Sequence, residues 1–142
     1  DGPIQAMHWA LADADATPQD VDYVNAHGTS TPMNDRSESA AMHAVFGAEV
    51  GRVSVSSTKS AMGHLIAAAG AVEAAVCALS IHHGVLPVNA NYLHPDPDCM
   101  LNLVVGAARK QPVRVALSNS LGFGGSNSCL AFRHPDFDGG RT

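Results

Sequence analysis

Three stretches of this sequence place chemically capable side chains at the ends of regular elements, where sites usually sit. His27 follows a β-branched and aromatic run and opens the polar stretch His-Gly-Thr-Ser-Thr-Pro at 27–32. Residues 57–64, Ser-Thr-Lys-Ser-Ala-Met-Gly-His, carry Lys59 and His64 between a strand-like run and an apolar helical pattern. Residues 119–127, Asn-Ser-Leu-Gly-Phe-Gly-Gly-Ser-Asn, form a glycine-rich tip. Neutral imidazole N–H groups can stabilise negative charge as it develops. A glycine turn lets backbone N–H groups approach a ligand closely. Singly, each stretch has a plain structural account: a satisfied strand-end histidine, a surface lysine, a turn. Glu73 is different. It is the one charge in the apolar pattern between Leu65 and Ile81. A carboxylate there must be paired or protonated, because burying it unpaired costs several kcal/mol. Lys59, just before the same pattern, is its natural partner.

The elements that must hold these groups follow from periodicity. Ile4, Met7 and Leu11 repeat at helical spacing. Thr17, Pro18 and Asp20 read as the cap, first position and acidic first turn of a very short helix. A strand is expected over 21–26 and a helix over 35–46 with Gly47 as its stop. A second strand is expected over 52–57, then a long helix from about 63 to 83 ended by Gly84. A helix apolar all round is buried all round, so another half or subunit is expected to cover it. Pro87, Pro95 and Pro97 mark an irregular connection. Strands over 101–105, 113–119 and 127–132 follow, the last two joined at 122–125 as a hairpin. The tail reads as polar and frayed. Strands alternating with helices and closed by a hairpin give an α/β domain with a mixed sheet and helices on both faces.

The 142 residues suffice for one domain with a real core, and 46% hydrophobic with 15% charged residues is a globular composition. A formal net charge of −5 argues against nucleic-acid binding. Arg109, Lys110 and Arg114 read as a solvated face, though a local basic patch could hold an acidic partner. No apolar run is judged to reach the roughly 18 residues of a membrane span. Cys77, Cys99 and Cys129 show no metal-ligand spacing, and their odd count favours a reducing compartment. Cys77 falls mid-helix, Cys129 in a strand, and Cys99 among aspartates that raise a thiol pKa, so none is a nucleophile candidate. His82 and His83 suit a helix C-terminus and have no third ligand nearby, so no metal is expected. Asp35 and Glu38 read as an acidic first turn, with a structural cation as the other reading. The chain opens Asp-Gly-Pro directly into a helical pattern, so it reads as a fragment, and any targeting segment would lie upstream.

Taken together, His-Gly-Thr-Ser-Thr-Pro, Ser-Thr-Lys-Ser, Gly-His at 63–64 and Gly-Phe-Gly-Gly at 122–125 resemble the elongating β-ketoacyl-acyl-carrier-protein synthases of the thiolase-like superfamily, over residues 1–132. The run Thr-Ser-Thr-Pro-Met-Asn-Asp with Glu38 looks more like the discrete fatty-acid enzymes than the modular polyketide ketosynthases, which usually read His-Gly-Thr-Gly-Thr. The initiating synthases use Asn where this chain has His64. The resemblance implies that residues 1–133 form the C-terminal half of a thiolase-like fold, with 134–142 as a polar tail. It implies that His27 and His64 are the histidines of a Cys-His-His triad whose cysteine lies in a missing N-terminal half. Lys59 is then the site lysine, paired with Glu73. Thr29 and Thr31 contact a phosphopantetheine arm. Phe123 is the gate residue and, with Gly124, shapes one side of an oxyanion hole. Leu121 departs from the Phe of many relatives, which touches the acyl channel and hence chain length.

The implied reaction is the decarboxylative condensation of malonyl-carrier with an acyl-enzyme thioester in fatty-acid elongation. The alternatives are a polyketide ketosynthase or a non-catalytic ketosynthase-like subunit. The implied partners are acyl carrier protein, the missing half and a second copy in a homodimer, with no nucleic acid and no membrane. No cofactor is implied beyond the phosphopantetheine that carries the substrates. The implied location is the cytoplasm, or an organelle stroma or matrix. By itself the chain is expected to be inactive.

Overall fold

The computed structural model describes residues 1–139. Helix α1 (Gly2–Asp13) starts with a proline in its first turn and buries Ala6, Met7 and Leu11. A single 3₁₀ turn, Pro18–Asp20, is closed by Asp20, whose carboxylate accepts the Thr17 N–H at 2.8 Å and the Thr17 hydroxyl at 2.6 Å. It feeds β1 (Val21–Asn25), which is buried at every residue. Helix α2 (Pro32–Phe46) begins at its proline rather than at residue 35, because proline suits the first helical position. Then come β2 (Ser54–Ser56), the one-turn α3 (Lys59–Met62) and, after a 3₁₀ turn at Ile66–Ala68, helix α4 (Ala69–His83). Gly84 stops α4 in the left-handed conformation. Short strands β3 (Val85–Leu86), β4 (Asn102–Leu103) and β5 (Arg109–Lys110) precede the hairpin of β6 (Val115–Leu121) and β7 (Asn127–Arg133).

The main sheet has the order β4-β2-β1-β6-β7. Its first four strands run parallel and β7 is antiparallel to β6, which is the mixed sheet expected. Helices cover both faces. On one, Met7 and Leu11 of α1 and Met42, Val45 and Phe46 of α2 pack on Val24, Val55, Val115 and Leu117. On the other, Cys77 of α4 joins Tyr23, Leu86, Val104, Val113 and Ala116. Each large apolar side chain so buried stabilises the fold by about 1.5–3 kcal/mol, and the α1/α2 face holds more of them.

Several elements differ from the sequence expectation. The helix expected from 63 is broken at Gly63 (φ +77) and Ile66 (φ +51), and α4 starts only at Ala69. Helix α4 is covered by this chain on one side only, with Ala69, Glu73, Cys77 and Ser80 buried and Leu79 54% exposed, which leaves the apolar face that was expected to need cover from another half or subunit. The helical stretch Ile66–His83 is long and apolar enough to cross a membrane by length and composition, with a mean hydropathy of 1.4. This differs from the expectation that no apolar run reaches the roughly 18 residues of a span. Glu73 of this stretch is buried against the sheet in an ion pair, as in a core helix. The strand expected over 101–105 shrinks to two residues, and the antiparallel pair β3–β5 was not foreseen. In the tail, Phe137 packs on the α1/α2 core, and the last three residues, 140–142, lie outside the described residues.

Candidate functional site

Strands β2, β1 and β6 are parallel neighbours, so the segments leaving their C-terminal ends emerge together at one edge of the sheet. Those segments are the three singled out by residue type. Ligands of open α/β sheets bind at this edge.

The loop after β1 is held by Glu38. Its Oε1 accepts the His27 N–H at 2.8 Å and its Oε2 accepts the Gly28 N–H at 2.9 Å. Asn119, at the end of β6, donates its amide to the same carboxylate at 3.2 Å. Burial pushes the Glu38 carboxyl above the ordinary carboxylate range, and these hydrogen bonds oppose that rise. Asp35 is indeed in the first turn of α2. Glu38 is instead a buried brace between two of the loops. The signal was available: Glu38, Ala41, Met42 and Val45 share one helical stripe, so a carboxylate on it needed partners. Gly28 locks the first loop against the second. Its φ is +42, and a Cβ there would stand 2.5 Å from the Ser57 Cβ. No group of three or more His, Cys, Asp or Glu side chains is placed to hold a metal among the described residues.

His27 and His64 meet edge to face, with ring centroids 5.5 Å apart and planes at 83°. His27 is half-buried. Burial, then the Lys59 charge and His64, bring its pKa down to about 4, so at neutral pH it is an uncharged imidazole. His64 is more exposed. Its Nδ1 accepts the Ile66 N–H at 3.0 Å, which requires a bare Nδ1 and leaves the hydrogen on Nε2. The positive φ of Ile66 belongs to this tight turn. His64 thus turns its Nε2 side toward solvent and the cavity, beside the uncharged ring of His27.

Lys59 is ion-paired with Glu73, and the two side chains are 6% and 2% exposed. The pairing anticipated from sequence is thus present. Glu73 Oε2, Thr58 Oγ1 and both amide atoms of Asn25 are buried without a protein hydrogen-bond partner. Thr29 and Thr31 join through their hydroxyls at 3.1 Å. They line a cavity of about 710 Å³ together with Lys59 and His64, and residues 89–94 form its opposite wall.

Phe123 and Gly124 stand apart from this cluster. They lie at the same edge of the sheet, on the hairpin tip, where Phe123 is fully exposed and lines no part of the cavity. Gly124 and Gly125 take φ of +73 and +83, conformations that favour glycine. Of the cysteines, burial pushes the Cys77 and Cys129 thiols up to about 12. Burial, with Asp96 next, raises that of Cys99 on the cavity wall. None carries the low-pKa character of a nucleophile.

The family whose pattern the chain matches is the beta-ketoacyl synthase C-terminal domain, over residues 1–93. The chain is 50% identical over 133 residues to nodulation protein E of Rhizobium sp. (strain N33), covering 94% of this chain and 33% of that protein. It is 46% identical over 132 residues to a 3-oxoacyl-[acyl-carrier-protein] synthase 2 of Synechocystis sp., covering 93% and 32%. Among solved structures it is similar, at a TM-score of 0.91 and 37% identity, to a chain of a type II polyketide synthase complex of acyl-carrier protein and ketosynthase bound to the hexaketide. That likeness covers 96% of this chain and 34% of the other. The chain spans about a third of the length of the curated relatives it matches.

Proposed function

The chain belongs to the beta-ketoacyl synthase family, and on that premise we propose that it supplies the histidine side of a condensing site that lengthens an acyl chain of fatty-acid synthesis by the two carbons malonyl-carrier retains after losing CO₂. The observation that carries this reading is the pair of imidazoles, His27 and His64, in edge-to-face contact beside the buried Lys59–Glu73 ion pair. Two N–H donors held side by side are what a thioester enolate needs.

In the proposed reaction an acyl group first passes from its carrier to a cysteine thiolate, in the part of the protein beyond this chain. Malonyl-carrier then enters past Thr29 and Thr31. The bond between its carboxylate and the adjacent carbon breaks. CO₂ leaves, and the bonding pair becomes an enolate on the thioester oxygen, where the His27 and His64 N–H groups meet it. The enolate carbon attacks the acyl thioester, a carbon–carbon bond forms, and the cysteine leaves as thiolate. A backbone N–H at Phe123, with the turn opened by Gly124, stabilises the second oxyanion once the hairpin tip folds over the site. Each oriented donor is worth about 3–4 kcal/mol in such sites. Burial and then Lys59 keep His27 uncharged, and Glu73 balances the lysine. No redox or metal step enters; the carrier's phosphopantetheine presents both substrates. The outer face of α4 packs against the rest of the protein, which works as a homodimer in the cytoplasm or an organelle stroma or matrix. The chain alone is inactive.

The likeness to a polyketide ketosynthase supports a second reading within the same chemistry, a polyketide condensing enzyme. A non-catalytic partner subunit is the third. One assay separates them: CO₂ release from malonyl-carrier by the full-length protein, with product length read alongside. His27→Ala or His64→Ala should lower that release by about 100-fold or more. Undiminished release in either variant overturns the proposal. No release from the wild type favours the non-catalytic subunit.

A further inference from the structure

The lysine of the site sits on an element that cannot hold itself. Helix α3 is four residues long, and a single turn fixes too many dihedrals for its few hydrogen bonds. No side chain caps it. Strand β2 ends at Ser56, and its pairing with β4 stops one residue earlier, at Val55. The next backbone donor on that side, the N–H of the buried Ser57, has no strand left to bond.

Asn89 supplies what the strand does not. Its side chain comes from the proline-marked connection between β3 and β4. Its Oδ1 accepts the Ser57 N–H at 2.9 Å. Its Nδ2 donates to Val55 O and Val104 O, each at 3.2 Å. Its own N–H bonds Val104 O at 2.8 Å. One carboxamide thus takes the place of a peptide unit and adds a rung to the sheet beyond the end of β4. A second stitch follows directly. Ser60 Oγ accepts the Ala90 N–H at 2.9 Å and donates to Ser57 O at 2.7 Å, and Asn91 Nδ2 donates to Ser60 O at 3.1 Å. Residues 57–60, the turn that aims Lys59 at Glu73, are templated by residues 89–91.

We infer that Asn89 is a positioning residue for the condensing site: it fixes the turn from which Lys59 projects, and through Lys59 the environment of His27. The inference rests on the proposed decarboxylation. The charged and titratable groups around His27 are Lys59 from α3, His64 from the following turn, Glu38 from α2 against its backbone, and Glu73 from α4 behind the lysine. Burial lowers the His27 pKa first, and Lys59 adds to it. A lysine free to wander weakens that second contribution, so more of the histidine is protonated at mildly acidic pH.

The experiment is the pH profile of malonyl-carrier decarboxylation by the full-length protein, for the wild type, Asn89→Ala, Ser60→Ala and Arg36→Ala. Arg36→Ala removes the exposed ion pair with Asp98, and so loosens the same connection without touching the turn. Asn89→Ala should lower kcat by about 10–100-fold, leave KM for the carrier substrate nearly unchanged, and move the acid limb to higher pH. Ser60→Ala should move the limb the same way by less, and it carries the test if Asn89→Ala does not fold. Arg36→Ala should leave the limb in place. A wild type that decarboxylates, with an acid limb unmoved in Asn89→Ala, or in Ser60→Ala should the first not fold, overturns the positioning role alone. A limb that moves equally in Arg36→Ala also overturns it, because general loosening would then explain the shift. A wild type with no decarboxylation at any pH overturns the proposed function itself.

Discussion

The two ends of the sheet handle buried polar groups in opposite ways. At the N-terminal end the contacts close within the chain. Asp22 accepts the Arg114 N–H at 2.7 Å and an Arg52 N–H at 3.3 Å. Gln111 accepts the Ser54 hydroxyl at 2.7 Å, and Arg109 donates to Ser54 Oγ at 2.9 Å and to Asn102 Oδ1 at 3.0 Å. At the C-terminal end Asn25, Thr58, Glu73 and Asn119 keep buried atoms with no protein partner, and among the described residues every such atom falls here. A buried polar atom left unpaired costs about 1–3 kcal/mol. One end is built for stability. The other leaves polar side-chain atoms unpaired within this chain, where the histidines and the lysine are gathered.

The comparison is most exposed to breaking at Glu73. Glu73→Ala leaves Lys59 buried without its counter-charge and should lower stability by about 3–5 kcal/mol in urea unfolding of the full-length protein. Replacing both at once, Lys59→Met with Glu73→Leu, should restore most of that loss while the chemistry stays lost. A single variant as stable as the wild type would mean that the pair is not buried in the assembled protein. At the other end, Asp22→Ala should cost about 1–3 kcal/mol and leave CO₂ release unchanged. A fall in rate matching the fall in stability would erase the division of labour. The smallest effect is in pH. The folded pKa of His27, about 4, lies below its ordinary 6.5, so between those values the unfolded chain binds more protons than the folded one. The stability it contributes is present above pH 6.5 and lost as pH falls toward 4. The urea midpoint should drop over that window in the wild type and drop less in His27→Leu.

What the sequence made legible was what lies close along the chain. His27, Lys59 and His64 each sit beside their own glycine or hydroxyl neighbours, and the parallel strands then bring the three segments to one edge. The Lys59–Glu73 pair was legible because an unpaired charge in an apolar helix has few remedies. Helix α1, β1, α2 and the hairpin were legible from period and stops. Asn89 was not: its three partners are Ser57, Val55 and Val104, and an amide standing in for a peptide unit leaves no pattern in sequence. The start of α4 was misread because Gly63 and Ile66 take left-handed conformations that only the turn around His64 explains. Strands of two residues, such as β3 and β5, are too short to show a period.

Helix α4 carries one more consequence, for anyone who would recode it. The usual rule for making a surface helix more soluble is to find its polar stripe, take that as the outside, and harden it with charge. Here the rule runs backwards. Glu73, Cys77 and Ser80 face inward, while Ala71, Ala75, Ala78 and Leu79 face out. A library that spares the aliphatic positions and varies the polar ones would dismantle the interior. One that writes lysine or glutamate at 71, 75 and 79 would leave this chain's own interior untouched, but it would set charges on the face proposed to meet the rest of the protein, so it suits this piece alone and not the assembled molecule.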